Sequence, residues 1–216
     1  MLLYCITDRH QLAPADKASA VERLVEAAAL AGVDYIQLRE KDLSARELER
    51  LATRCMAHIC DARKEGSRTR LLVNSRVDIA IACGADGVHL RSRASGELSA
   101  ADARAIFGRA GRPQPIIAVS CHSAGEVLLA ESEGADFAVF GPVFGKGERA
   151  GVGIDALRRI CHRTPNHMPV LALGGITIES AASCVAAGAA GVAAIRLFQS
   201  ADVQAAIHLL RTLAKA

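Results

Sequence analysis

Ala31-Gly32-Val33-Asp34-Tyr35-Ile36-Gln37 is the stretch from which the architecture can be read, because the chain repeats it. Cys83-Gly84-Ala85-Asp86-Gly87-Val88-His89, Glu133-Gly134-Ala135-Asp136-Phe137-Ala138-Val139 and Ala187-Gly188-Ala189-Ala190-Gly191-Val192-Ala193 follow the same pattern. In each copy a helix ends, a glycine accepts the left-handed conformation of a helix cap, and a short turn enters an apolar strand. The period is roughly 50 residues, too long for ankyrin or tetratricopeptide units and long enough for two βα units per copy. Four copies therefore predict eight strands.

Working outward, short apolar strands are predicted at 2–7, 34–39, 70–74, 87–90, 116–120, 137–140, 170–173 and 191–195. Such runs suit parallel strands covered by helices on the outside. Amphipathic helices are predicted at 21–31, 45–64, 76–83, 100–107, 124–134, 154–162, 178–187 and 203–214. Ser44, Ser99, Ser123, Thr177 and Ser200 stand at helix-capping positions. Eightfold βα alternation reads as a single-domain (β/α)8 TIM barrel spanning residues 1–216. A flavodoxin-like open sheet would leave strands unaccounted for. The stretches 91–99 and 141–153 read as mobile loops rather than linkers.

Composition narrows the function classes. Of 216 residues 51% are hydrophobic and 23% charged, which excludes a disordered chain. Aromatics at 3%, no Trp and a net charge of +3 argue against a nucleic-acid partner. No apolar run approaches the roughly 20 residues of a membrane span, and the start Met1-Leu2-Leu3-Tyr4-Cys5 does not read as a secretory signal. The seven Cys, scattered without a CxxC pair, suit reduced thiols in a cytoplasmic enzyme rather than a disulfide or zinc framework. A homodimer is left open.

In a (β/α)8 barrel the chemistry lies at the carboxyl ends of the strands. After the second strand, alternation puts Gln37 and Arg39 on the face opposite Ile36 and Leu38. A buried Arg39 requires an anion, either a structural Glu or a ligand phosphate, and Lys41 adds a second cation. Asn74 can hydrogen-bond a ligand or cap the next helix. His89 reads as a packed polar residue, whereas His122 in Ser120-Cys121-His122-Ser123 lies where a general acid/base is expected. Lys146 sits in a glycine-rich loop that could fold over an anion. Gly174, Gly175, Ile195 and Arg196 follow the seventh and eighth strands, the usual phosphate site of these barrels. Asp34, Asp86 and Asp136 recur at strand beginnings and read as structural, and no metal-ligand cluster is expected.

Tyr4-x-x-Thr7-Asp8, Gln37-Leu38-Arg39-Glu40-Lys41, Leu72-Val73-Asn74, Gly84-Ala85-Asp86-Gly87-Val88-His89-Leu90, Val119-Ser120-Cys121-His122-Ser123, Gly141-Pro142-Val143-Phe144 and Gly174-Gly175-Ile176 together resemble the thiamin phosphate synthase/TenI superfamily. The resemblance implies a (β/α)8 barrel and thiamin biosynthesis. One branch, the synthase, joins a hydroxymethylpyrimidine pyrophosphate to a thiazole phosphate with magnesium. The other, the tautomerase, shifts a proton on a thiazole carboxylate phosphate without metal. Ser75 and Arg91-Ser92-Arg93-Ala94 replace the synthase's magnesium-binding carboxylates, Gly145–Arg149 replaces its Thr/Lys segment, and Arg196 replaces a small serine. On those departures the expectation is a metal-independent isomerase of the tautomerase type, with His122 as catalyst and no cofactor. In it Gln37, Arg39, Lys41, Asn74, Ser120 and Lys146 bind a small phosphorylated substrate, and Gly174, Gly175, Ile195 and Arg196 hold its phosphate. The alternatives are the synthase, with Asp8, Glu97 or Glu148 as relocated magnesium ligands, and a non-catalytic phosphate-binding barrel.

Overall fold

Strand β1 (Leu2–Ile6) leads through a 3-10 turn (Arg9–Gln11) to helix α1 (Lys17–Leu30), and the alternation then never breaks. It runs β2 (Tyr35–Leu38), α2 (Ala45–Lys64), β3 (Arg70–Asn74), α3 (Val77–Ala82), β4 (Gly87–Leu90), α4 (Ala100–Arg109), β5 (Ile116–Cys121) and α5 (Ala124–Ser132). It ends with β6 (Phe137–Phe140), α6 (Ile154–Cys161), β7 (Val170–Leu173), α7 (Ile178–Ala186), β8 (Gly191–Ala194) and α8 (Val203–Leu213). This computed structural model describes residues 1–12, 17–92, 98–145, 150–163, 168–199 and 202–213. The strands pair in parallel and in chain order, and β8 closes onto β1, with Tyr4 opposite Ala193. The protein is a (β/α)8 barrel; the β1–β8 pairing excludes the open-sheet alternative.

The period-2 alternation sorts the apolar residues into two cores. Leu3, Cys5, Ile36, Leu38, Leu71 and Val73 point outward against the helices. Tyr4, Ile6, Leu72, Phe137, Val139 and Leu171 point inward and fill the barrel. Phe137 packs between Tyr4 and Tyr35, with ring centroids 5.5 and 4.8 Å away. Further up the barrel the inward positions become polar: Gln37, Asn74, His89 and Ser120 stand two residues above this apolar plug.

The repeat is a folding device. Gly32, Gly84, Gly134 and Gly188 all have positive φ, between +76° and +98°. Asp34, Asp86 and Asp136, two residues on, each accept the backbone N–H of a residue in the preceding strand: Leu3 at 2.7 Å, Leu71 at 2.8 Å and Ile117 at 2.7 Å. An arginine from a helix meets each carboxylate: Arg211 of α8, Arg63 of α2 and Arg104 of α4. In the fourth copy Ala190 replaces the aspartate, and its backbone N–H alone bonds Val170 O at 2.9 Å.

Ser44, Ser99, Ser123 and Thr177 cap α2, α4, α5 and α7 as expected; Ser200 lies outside the described residues. Several boundaries move. Helix α1 starts at Lys17, four residues before the predicted position. Strand β2 stops at Leu38, so Arg39 is half-exposed beyond the strand rather than buried within it. Asn74 does not cap α3: Arg76 holds that position, without a side-chain bond. The described part of 141–153 is strapped to the end of β7 rather than loose, through Val143 N to Leu173 O (2.7 Å) and Phe144 N to Gly174 O (3.0 Å). Residues 93–97 and 146–149 of the two predicted loops lie outside the described residues. No described helix is long and apolar enough to cross a membrane.

Candidate active site

The strand ends bring Gln37, Arg39, Lys41, Asn74, Ser120 and His122 around one cavity of about 350 Å³ at the carboxyl mouth of the barrel. Lys146 lies outside the described residues. His89, Arg91 and Ser92, which the sequence reading left out of the site, line the same cavity.

Its floor is an oriented hydrogen-bond chain. Gln37 Nε2 donates to Tyr4 Oη (3.3 Å), which lies 3.0 Å from His89 Nδ1; His89 Nε2 lies 2.7 Å from Ser120 Oγ. Burial raises the Tyr4 phenol well above its usual value and depresses His89 to about 3, with the Arg39 charge adding to the latter. Both groups are therefore neutral. Tyr4 accepts from Gln37 and keeps one proton, which it can donate to His89 Nδ1. The imidazole then carries its proton on Nε2 and donates it to Ser120. Ser120 is left with its own O–H to offer upward. The expectation of a packed polar His89 is right about burial and incomplete about position, since the residue is the middle of the cavity floor. Its inward direction was legible from its alternation with Val88 and Leu90.

The wall along β2 and β4 is cationic. Lys41 is pulled below its ordinary pKa, first by the charge of Arg39, then by desolvation and by Arg91. The adjacent Glu40 neutralises none of them. It is buried, accepts from Thr7 Oγ1 (2.6 Å) and Arg9 N (3.0 Å), and straps the β1 loop to the β2 loop. Glu40 is thus not the structural partner that the sequence left open for Arg39. Ser92 Oγ is buried and has no hydrogen-bond partner.

The opposite wall is built from backbone. Gly174 and Gly175, at φ +99° and +65°, join Ile195 and Arg196 around a second hollow of about 290 Å³. A Cβ on Gly174 would stand 2.6 Å from Pro142 Cβ, and one on Gly175 would stand 2.6 Å from Phe144 Cβ. These glycines are required by the strap after β6 as much as by any ligand. Arg196 is exposed at the rim. His122 belongs to both hollows. Its Nδ1 donates to Gly141 O at 2.6 Å, which leaves Nε2 bare toward the mouth.

A family model described as thiamine monophosphate synthase (TMP-TENI) matches residues 3–198. The chain belongs to this family. A relative from Geobacter sulfurreducens named "Putative thiamine-phosphate synthase" is 47% identical over 197 residues, 89% of this chain and 84% of its own length. The thiamine-phosphate synthase of Moorella thermoacetica is 38% identical over 87% of this chain and 85% of its own. Among solved structures, the thiamine phosphate pyrophosphorylase of Pyrococcus furiosus superposes with a TM-score of 0.80 at 31% identity, over 99% of this chain and 95% of that one.

These relatives overturn the expectation of a tautomerase-type isomerase, which rested on missing carboxylates. The magnesium implied by the family does not fit the described residues. Among the described residues the cavity lining holds no carboxylate, Ser75 stands at φ +56° where the synthase pattern has an aspartate, and no cluster of three His, Cys, Asp or Glu could hold a metal. Asp8, one relocated ligand considered, is committed to the N–H of His10 and the amide of Gln11. Glu97 and Glu148, the other two, lie outside the described residues.

Proposed function

We propose that this protein is a thiamin-phosphate-forming transferase, joining a hydroxymethylpyrimidine diphosphate to a thiazole phosphate. One observation carries the reading beyond the family: the mouth has two walls suited to two anionic substrates, one of cationic side chains and one of glycine backbone, with His122 between them. The bond from the pyrimidine methylene carbon to the diphosphate oxygen breaks, and its electron pair leaves with the diphosphate. The thiazole nitrogen supplies the pair for the new C–N bond, and no proton is lost.

Each residue has a part in this scheme. Arg39 and Lys41 face the diphosphate and stabilise the charge that grows on it. Gln37 and Asn74 orient the pyrimidine, and Ser120 offers its O–H from the floor. The backbone of Gly174, Gly175 and the Ile195–Arg196 turn receives the thiazole phosphate. His122 Nε2 faces the space where the two substrates meet. The apolar plug below keeps water from reaching the pyrimidine cation from beneath.

Mass spectrometry of the purified protein with both substrates tests the reading. Thiamin phosphate and diphosphate should form, and Arg39→Ala should lower kcat/KM about 100-fold or more. Absence of product both with EDTA and with added magnesium would sink it.

A further inference from the structure

Odd and even residues of Gln37-Leu38-Arg39-Glu40-Lys41 part ways at the end of β2. Gln37, Arg39 and Lys41 line the mouth, whereas Leu38 packs against the helices and Glu40 is buried at 4% exposure. A carboxylate buried away from the mouth must be held by hydrogen bonds, and those bonds lead into the β1 loop. Backbone pairing of β1 with β2 continues one step past the strands, with Thr7 N donating to Gln37 O at 2.9 Å. A parallel ladder would next bring the Arg39 N–H to Thr7 O. Instead Arg39 N donates to Thr7 Oγ1 (3.0 Å), and that buried hydroxyl donates to Glu40 Oε1 (2.6 Å). Glu40 Oε2 accepts from Arg9 N at 3.0 Å and lies 3.8 Å from Arg9 Nε. The side chains of Thr7 and Glu40 thus take over where the ladder stops, and they fix the backbone of Arg39.

The same loop reaches the other wall. Asp8, between Thr7 and Arg9, makes two bonds with the Gln199 side chain beyond β8. Asp8 N donates to its oxygen (2.7 Å) and Asp8 O accepts from its nitrogen (3.3 Å), with the amide oriented to satisfy both. Gln11 donates to Asp8 Oδ2 at 2.6 Å and lines the hollow of Gly174, Gly175, Ile195 and Arg196. Residues 7–11 therefore run from the cationic wall to the glycine wall, and Glu40 is the buried fastening at the first end.

We propose that Glu40 is a positioning residue which, through Thr7 and Arg9, fixes the β1 loop as a bridge between the two walls and so sets the spacing of the two substrates. It touches neither of them. The naming of the substrates rests on the transferase reading above; the bridge rests on the hydrogen bonds. Each wall keeps its own groups when the bridge loosens, so each substrate still binds. What is lost is the alignment of the thiazole nitrogen with the pyrimidine methylene carbon, and alignment is read in kcat rather than in KM.

Steady-state kinetics, with each substrate varied in turn, test this on Glu40→Gln, Thr7→Val, Thr7→Ser and the double variant Glu40→Gln/Thr7→Val. Rates are taken per folded molecule, from urea unfolding of each variant. A glutamine offers one acceptor oxygen where the carboxylate uses two. Glu40→Gln and Thr7→Val should each lower kcat roughly 10- to 100-fold, with each KM within about threefold of wild type. Thr7→Ser, which keeps the hydroxyl, should hold kcat near wild type. The double variant should lose no more than the worse single one, because both break one link. If Glu40→Gln does not fold, Thr7→Val against Thr7→Ser decides. An unchanged kcat in Thr7→Val, losses that multiply in the double variant, or a rise in KM alone would overturn the proposal. Hydrogen exchange separates its failure from that of the transferase reading. The backbone N–H groups of Arg39 and Gln11, bonded to Thr7 Oγ1 and Asp8 O, should exchange about tenfold faster in Glu40→Gln and Thr7→Val. Faster exchange at both, with no thiamin phosphate from the wild type, removes the reaction and keeps the bridge. Thiamin phosphate from the wild type, with exchange and kcat unaltered in the variants, keeps the reaction and removes the bridge.

Discussion

The two ends of the barrel handle charge in opposite ways. At the amino end Asp34, Asp86 and Asp136 each meet a backbone N–H and an arginine, so charges are matched within the fold. At the carboxyl end Arg39, Lys41 and Arg91 share a hollow whose described lining has no carboxylate. The first end pairs its charges within the fold, and the second gathers cationic side chains around a hollow. Conformational stability and ligand recognition are thus assigned to opposite ends of the same eight strands, as the barrel architecture allows.

Breaking the amino end should have the largest effect. Asp86→Ala removes the partner of both Arg63 and Arg70 and leaves the Leu71 N–H without its acceptor. We expect a loss of about 3 kcal/mol in urea unfolding with little change in the KM of either substrate; a loss below about 1 kcal/mol would deny the aspartates their structural role.

The cavity floor gives a pH signature of intermediate size. His89 is depressed to about 3 when folded, below the 6.5 of an unperturbed imidazole. The unfolded chain therefore takes up this proton first as pH falls. The contribution of neutral His89 is complete above pH 6.5 and is lost progressively down to about pH 3, at roughly 1.4 kcal/mol per unit. Stability at pH 5 should lie about 2 kcal/mol below its value at pH 6.5 from this group. His89→Gln, whose amide can still accept from Tyr4 and donate to Ser120, should flatten that slope in urea melts across the range. An unaltered slope would show that His89 is not the group responsible.

The smallest effect on stability should come from the cationic rim. Lys41→Ala should leave unfolding within ~0.5 kcal/mol of wild type, because an exposed side chain held below its ordinary pKa by like charges gives the fold nothing to lose. The same variant should weaken diphosphate binding about tenfold. A large stability loss with no binding change would reverse the assignment of the two ends.

How much of this was legible before folding differs by residue. Gly32, Gly84, Gly134 and Gly188 carry a helix-ending signal in their local sequence, and the eight strands follow from it. Ser44 and Thr177 are likewise read from residues three positions away, since a capping box is local. The direction of Arg39 was legible from alternation with Leu38, and its place beyond the strand end was not, because strand length is set by pairing with β3. The departures at Ser75 and Arg91 are visible in the chain, but they do not identify the reaction: relatives named thiamine-phosphate synthase overturn the tautomerase expectation drawn from them.

The sequence by itself determined the repeat, the order of strands and helices, and which end of each strand carries polar residues, because these depend on contacts between near neighbours. Only the tertiary structure decided that Tyr4 and Gln37 orient His89, that Ser92 lacks a partner, that Glu40 is spent on Thr7 and Arg9, and that Gly174 must yield to Pro142. Each of these joins residues from different strands or loops. Barrel closure sets their distances, and no local pattern in the chain encodes them.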